Sequence, residues 1–185
     1  WDGMIPALLA RKFDTIIASM SITEERKKKI DFTVKYYNTP AKLVAKKDAG
    51  FAGTAAGLNG KRLGVQRATT HQCSAEKLYP GAELVLYGTQ EEGWQDLAAG
   101  RLDAQLSGSL EAYEGFLALD AGKGFDFLGD ALDDIECQGV GAGFAVRKED
   151  SALRDALSQV ILDIRADGAY KAMNDQYFAV DIYGN

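Results

Sequence analysis

The sequence predicts an α/β fold in which helices flank a largely parallel sheet. Short apolar segments typical of buried strands alternate with segments whose apolar residues follow helical spacing. Several helical segments start at a Ser or Thr that precedes a Glu by three positions, the pattern of a capping box. A repeated strand–helix–strand order favours a parallel sheet, because each helix crosses over between neighbouring strands.

The first elements are predicted from apolar spacing and turn residues. The apolar residues after Gly3 have helical spacing, which predicts a helix there, and residues 13–18 are predicted to form a buried strand. Ser21 and Glu24 form a capping box that starts a helix carrying Arg26. Strands are then predicted over residues 30–34 and 41–45, separated by a turn or crossing at residues 38–40.

A glycine-rich loop over residues 48–60 predicts a boundary, after which a new unit starts. Beyond it the alternation continues with strands over 62–66, 83–87, 102–106, 125–128 and 140–146. The intervening helices are predicted to start at Thr69 or Thr70, at Thr89, with Glu92 in a capping box, and at Ser109. Ser151 is predicted to cap a long amphipathic helix that ends at Gly168, and a last helix covers residues 169–177.

The composition is that of a soluble globular protein. With 185 residues, one domain or two small lobes are expected. The chain is 46% hydrophobic and 26% charged, which excludes a disordered chain, and its net charge of −6 argues against general nucleic-acid affinity. No apolar run reaches the roughly 18 residues of a membrane-spanning helix. Because the chain starts at Trp1 without an initiator Met, a processed form or a fragment is expected.

Two strand-to-helix turns carry the candidate binding chemistry. Residues 19–26 combine two serine hydroxyls, helix N-terminal amides and the Arg26 guanidinium, which together suit a small carboxylate. The same residues also fit an ordinary capped helix with a solvated basic face. Residues 68–72 form a second turn of this kind, with Thr69 and Thr70 at its amide end. In open α/β sheets ligands lie at the carboxyl ends of strands, so two such turns could clamp one small molecule.

Catalysis and metal binding are not predicted. His71 is the only histidine, and no nucleophile elbow accompanies it. A zinc site built from His71, Cys73, Cys137 and Glu136 would lack the paired spacing of zinc motifs, so neither a metal nor another cofactor is expected. The two cysteines fit either one disulfide or two separate thiols. The glycines at positions 139, 141 and 143 run into a strand, which indicates close backbone packing rather than a dinucleotide site.

Several ordered motifs resemble the polar amino-acid binding proteins of bacterial ABC importers, nearest the lysine/arginine/ornithine, histidine and opine binders. The resemblance covers nearly the whole chain. Its main motifs are residues 1–6, 18–26, 30–33, 64–66 with 69–70, 96–97 with 100–104, 139–143 with 147–150, and 166–168 with 177–178.

The resemblance implies a type II periplasmic-binding-protein fold. Residues 1–41 and 139–185 would form lobe 1, and residues 42–138 would form lobe 2. An upstream part of lobe 1 would be absent, so self-association is a further expectation. The implied function is that of a periplasmic binding protein, not an enzyme, which closes by hinge motion on a free amino acid or opine and docks on a membrane permease.

The resemblance also implies the ligand-binding set, which is Trp1, Ser19, Met20, Ser21, Arg26, Thr69, Thr70 and His71. Arg26 would pair with the ligand α-carboxylate, helped by the amides near Ser21 and Thr70. The Ser19 carbonyl and the Ser21 hydroxyl would take the α-ammonium, and Trp1 would cover the ligand side chain.

Thr69 and His71 would line the wall of the second lobe. The acid that pairs with the ammonium in the family falls at Gly108, where this chain has no carboxylate. The amine would then be bound in another way, the ligand would be a modified amino acid such as an opine, or affinity would be lost.

Two other functions remain open at this point. The first is a lyase of the cyclohexadienyl dehydratase type, for which only Glu136, Glu111 or His71 could act as the general acid. The second is an assembly form in which ligand binding is secondary. A Cys73–Cys137 disulfide near the hinge is a further prediction.

Overall fold

The computed structural model describes residues 1–132 and 134–184, which fall into two compact units. Unit 1 comprises Trp1–Asp2 and Pro40–Gln138, and unit 2 comprises Gly3–Thr39 and Gly139–Asn185. Trp1 and Asp2, predicted as part of lobe 1, thus group with the residues assigned to lobe 2. The reason is local: the Trp1 indole Nε1 donates to the Ala68 carbonyl at 3.1 Å, and Arg67 pairs with Asp2 at 2.8 Å.

The bounds of the elements follow in chain order. The helices are α1 (Met4–Leu9), α2 (Glu24–Lys27), α3 (Thr70–Leu78), α4 (Gln90–Ala98), α5 (Ser109–Ala112), α6 (Ile135–Gln138), α7 (Ser151–Ala166) and α8 (Ala169–Tyr177). The strands are β1 (Asp31–Tyr37), β2 (Ala41–Lys46), β3 (Arg62–Gln66), β4 (Glu83–Tyr87), β5 (Ala104–Gly108), β6 (Phe125–Leu128) and β7 (Ala142–Val146). A π-helical turn covers Tyr113–Leu117, and a 3₁₀ turn covers Asp120–Gly122.

Unit 1 is built on a five-stranded sheet in the order β4-β3-β5-β2-β6. Strand β3 runs parallel to β4 and β5, whereas β2 runs antiparallel to both of its neighbours. Alternate side chains of β2 enter two different apolar clusters, Leu43 the first and Val44 the second, so this strand is buried on both faces. The prediction of a largely parallel sheet is confirmed, with β2 as its antiparallel member. The loop 48–60 lies inside unit 1, so the boundary predicted there is wrong.

Unit 2 contains the antiparallel pair β1–β7, against which the long helix α7 packs. Asp31 lies opposite Val146 and Tyr37 opposite Ala142, with two irregularities of register between them. Ile161 of α7 is buried. This pair forms the framework on which the candidate residues of unit 2 are held.

The strand predicted over residues 13–18 is not formed. Only Ile16 makes an isolated bridge, to Ala145, while Phe13 and Ile17 are exposed. The buried Arg147 guanidinium donates hydrogen bonds to the Phe13 carbonyl at 2.9 Å and to the Asp14 carboxylate at 2.8 Å. The Phe13 carbonyl is thus satisfied by a side chain and not by a neighbouring strand.

Other helix starts and strand bounds differ from prediction by a few residues. Thr23, not Ser21, caps α2, because Ser21 is held in a bridge to Ala142. Ser151 is the first residue of α7, and the cap position is taken by Asp150, whose side chain makes no cap hydrogen bond. The strand predicted over 102–106 lies at Ala104–Gly108, and the helix predicted over 109–118 changes from α to π after Ala112.

Candidate functional site

The first candidate segment is the Ser19 turn, residues 19–23 of unit 2, which leads into α2. Ser19 adopts a φ of 58°, the left-handed region that favours glycine. Its N–H donates to the Tyr36 hydroxyl at 3.0 Å, which ties the strained residue to β1. Such backbone strain concentrates at binding sites, where surrounding contacts stabilise it.

Arg26 lies on α2 with its side chain directed back along the Ser19 turn. Its N–H donates to the capping Thr23 Oγ1 at 3.2 Å, and its Nη1 donates to the Ser21 carbonyl at 3.0 Å. Burial lowers the pKa of Arg26 to about 10, so the guanidinium still carries its charge at neutral pH. A half-buried cation that is already oriented by the backbone is suited to bind a carboxylate.

Three glycines of unit 2 allow the Ser19 turn to pack tightly. A Cβ on Gly139 would lie 2.1 Å from the Ile22 carbonyl oxygen, and one on Gly143 would lie 2.8 Å from Ile22 Cδ1. Between them, the Gly141 carbonyl accepts from the Ile22 N–H at 2.8 Å. The predicted close backbone packing of this glycine run is confirmed.

The second candidate segment is the Ala68 turn, residues 66–70 of unit 1, which leads into α3. Ala68 has a φ of 59°, and its N–H donates to Gln72 Oε1 at 2.8 Å. Thr69 caps α3: its Oγ1 donates to the Gln66 carbonyl at 2.6 Å and accepts from the Gln72 N–H at 3.2 Å. Trp1 contacts this turn through its hydrogen bond to the Ala68 carbonyl. The sequence did not indicate this contact, because the two residues lie far apart along the chain.

Helix α3 is covalently attached to α6. Cys73 and Cys137 form a disulfide with Cα atoms 5.6 Å apart, which confirms the predicted pairing. Next to it, Gln138 Nε2 donates to the Thr70 carbonyl at 3.2 Å and to Ser74 Oγ at 2.6 Å. Gln138 was not identified from the sequence, because a lone Gln near the end of a short helix carries no recognisable signal.

Asp134 extends this attachment along α3 towards Lys77. Its carboxylate is buried and accepts from Ser74 Oγ at 3.1 Å and from Lys77 Nζ at 2.7 Å. Burial alone would raise the pKa of Asp134, but the hydrogen bonds from Lys77 and Ser74 outweigh it and hold the pKa below its usual range. The beginning of α3 is therefore fixed by a covalent bond and a charged network.

The candidate residues are divided between the units. Ser19, Met20, Ser21 and Arg26 belong to unit 2, whereas Trp1, Thr69, Thr70 and His71 belong to unit 1. The Met20 side chain is 1% exposed and lies in the core, and its carbonyl accepts from the Gly143 N–H at 3.1 Å. Gly108, where the family's acid was expected, ends β5 opposite Ala41.

Within residues 1–132 and 134–184, no group of three or more His, Cys, Asp or Glu side chains could hold a metal ion. The same part of the chain contains no helix of the length and hydropathy needed to cross a membrane.

The profile of the bacterial extracellular solute-binding proteins, family 3, matches residues 1–180. The chain belongs to this family. It is 48% identical to the L-arginine-binding protein of Pseudomonas aeruginosa, over all of this chain and 72% of that protein. It is 42% identical to the histidine-binding periplasmic protein of Salmonella typhimurium, over 99% of this chain and 71% of that protein.

The fold is shared with solved structures of the same kind. One is a Salmonella typhimurium periplasmic binding protein described for its high arginine specificity. It superposes with a TM-score of 0.86 at 29% identity, over 97% of this chain and 78% of that chain. The two-lobe α/β fold predicted from the resemblance is thereby confirmed. The relatives are binding proteins, so this chain is a solute-binding protein and not the lyase considered above.

Proposed function

We propose that this protein binds a cationic amino acid, with L-arginine as the first candidate, as the periplasmic component of an ABC importer that delivers its ligand to a membrane permease. The observation that carries the proposal is the half-buried Arg26, fixed on the Ser21 carbonyl beside a strained turn. Solute binding is the function of the family to which the chain belongs, and the 48% identity to an L-arginine-binding protein supports the choice of ligand.

The charge distribution supports a cationic ligand. Unit 1 holds nine Lys and Arg against sixteen Asp and Glu, whereas unit 2 holds twelve against eleven. An acidic unit raises the local concentration of cations and speeds their association. The α-carboxylate of the ligand is then the group that needs a positive partner, and Arg26 supplies it.

The proposed roles follow the two turns. Arg26 pairs with the α-carboxylate, while the Ser19 carbonyl and the Ser21 hydroxyl accept hydrogen bonds from the α-ammonium. In unit 1, Thr69, Thr70 and His71 contact the ligand from the second lobe, and Trp1 covers its side chain. In this proposal the two lobes correspond to the two compact units, and hinge closure brings the two sets of residues onto one ligand.

A thermal-shift screen tests the proposal, because a ligand that binds only the folded state raises the melting temperature by mass action. The screen uses L-arginine, L-lysine, L-ornithine, L-histidine and octopine, with L-glutamate as the negative control. We expect the largest rise with L-arginine and none with L-glutamate. No rise with any of the five compounds would contradict the proposal.

The self-association expected from the sequence is tested on the same samples. Sedimentation equilibrium with and without L-arginine gives the molar mass directly. A ligand-independent dimer, combined with no thermal shift, would favour the assembly form over the binding protein.

A further inference from the structure

The Tyr36 side chain holds a strained residue of the candidate site, Ser19. Its hydroxyl accepts the Ser19 N–H at 3.0 Å, and Ser19 has a φ of 58°. A serine in the left-handed region reverts to an extended or helical conformation unless its backbone is held. The hydrogen bond to Tyr36 fixes the peptide plane on the amino side of Ser19 and thereby limits this reversion.

Tyr36 is itself braced at its ring and at its backbone. Its ring packs against Phe144 of β7 with centroids 4.6 Å apart. Its carbonyl accepts the hydroxyl of Tyr170, on α8, at 2.7 Å. The Arg165 guanidinium lies over the Tyr183 ring at 3.2 Å and over the Tyr170 ring at 5.3 Å, so Tyr170 is fixed in turn.

We infer that Tyr36 is a positioning residue for the ligand, acting through Ser19, and that α8 contributes through Tyr170. This inference rests on the proposed function, in which the Ser19 carbonyl takes the α-ammonium of an amino acid. The orientation of that carbonyl depends on the left-handed conformation of Ser19, which the Tyr36 hydroxyl stabilises. Loss of the hydroxyl therefore weakens ligand binding although Tyr36 makes no ligand contact in this scheme.

The test is a double-mutant cycle on L-arginine affinity, measured by isothermal titration calorimetry. The four proteins are the native chain, Tyr36→Phe, Ser19→Gly, and the double variant. Tyr36→Phe keeps the ring and removes only the hydroxyl, and we expect it to weaken binding about 10-fold, or about 1.4 kcal/mol. Glycine adopts a positive φ without strain, so adding Tyr36→Phe to Ser19→Gly is expected to cost less than about threefold.

Two further variants separate positioning from general damage. Tyr170→Phe removes the brace on Tyr36 and is expected to weaken binding about threefold. Tyr177→Phe, on the same helix but exposed, is the matched control and leaves the affinity unchanged. Melting temperatures of all variants verify folding, and amide hydrogen exchange of Ser19 is expected to quicken in Tyr36→Phe.

The outcomes separate this inference from the proposed function. If the native chain binds L-arginine and Tyr36→Phe binds it equally well, the inference is wrong and the proposed function stands. Equal losses from Tyr36→Phe in the Ser19 and Ser19→Gly backgrounds would also overturn it, because the hydroxyl would then act independently of Ser19. A native chain that binds no cationic amino acid would overturn both.

Discussion

The Ser19 turn in unit 2 and the Ala68 turn in unit 1 both contain a left-handed residue ahead of a Thr-capped helix, but they are anchored differently. Each of these two residues has a φ near +60°, and Ser19 precedes its capping threonine Thr23 by four positions whereas Ala68 directly precedes Thr69. The Ser19 turn is held by non-covalent contacts and leads into a four-residue helix that carries Arg26. The Ala68 turn leads into a nine-residue helix that is cross-linked by a disulfide.

In the proposed function this difference gives the two turns different tasks. The Ser19 turn holds a cation in a partly buried position and would supply the charge-assisted contact to the ligand. The Ala68 turn offers neutral hydroxyl and amide groups on a rigidly attached helix. We therefore expect changes at the Ala68 side to affect mainly stability, and changes at the Ser19 side to affect mainly ligand affinity.

The largest expected effect is on the stability of unit 1. Replacing both cysteines with Cys73→Ser and Cys137→Ser opens a link that spans 64 residues. We expect a loss of about 4 kcal/mol in the free energy of unfolding, because the unfolded chain gains conformational entropy. Urea denaturation measures it, and reduction of the native protein with dithiothreitol is the matched comparison. A loss below about 1 kcal/mol would show that the disulfide does not anchor α3.

The next largest effect is on ligand affinity. Arg26→Ala removes the cation of the Ser19 turn and is expected to weaken L-arginine binding about 100-fold, the range of a charge-assisted contact. Lys28→Ala, an exposed basic residue one position beyond α2, is the control and leaves the affinity unchanged. If both variants lost the same affinity for L-arginine, Arg26 would contribute only through its positive charge and not through a specific contact.

The two helix caps offer a symmetrical comparison. Thr23→Ala and Thr69→Ala each remove a cap hydrogen bond, at an expected cost of about 1 kcal/mol in unfolding free energy. Thr23→Ala is expected to weaken L-arginine binding about threefold, because Thr23 Oγ1 holds the Arg26 N–H. Thr69→Ala is expected to weaken it less, because Thr69 offers the ligand a neutral hydroxyl and not a charge-assisted contact. Serine at either position keeps the hydroxyl and is the control. If Thr69→Ala weakened binding more than Thr23→Ala, the proposed division between the turns would fail.

The smallest effect concerns pH. Because the pKa of Asp134 is lowered in the folded state, its contribution to stability is fully present above the unfolded value of about 4 and is lost as the pH falls through the folded value. Asp134→Asn is expected to flatten the pH dependence of urea unfolding between about pH 5 and 3. Asp48→Asn, at an exposed loop position, is the control and keeps the native slope.

Local signals predicted most of the elements. The Thr89–Glu92 capping box and the Thr69 cap are found where the sequence indicated, because side chains three positions apart satisfy the first amides of a helix regardless of the rest of the chain. The same logic failed at Ser21, because a bridge to Ala142 holds that residue and leaves the capping to Thr23.

Long-range contacts account for what the sequence could not predict. The bonds from Tyr36 to Ser19 and from Trp1 to Ala68 join residues 17 and 67 positions apart, and no pattern along the chain indicates them. The apolar run at residues 13–18 is typical of a strand, but only Ile16 pairs, with Ala145, and the Phe13 carbonyl binds the distant Arg147 guanidinium. The segments that carry the candidate site were thus predictable, whereas the contacts that hold its residues in place were not.

In the proposed function, Arg26 recognises the α-carboxylate of a cationic amino acid. Calorimetric titration of the native chain and Arg26→Ala with L-arginine and with L-argininamide, which lacks that carboxylate charge, tests this role. We expect the native chain to prefer L-arginine about 100-fold and Arg26→Ala to bind both compounds with nearly equal, weak affinity. A native-like preference for L-arginine in Arg26→Ala would show that Arg26 does not bind the carboxylate.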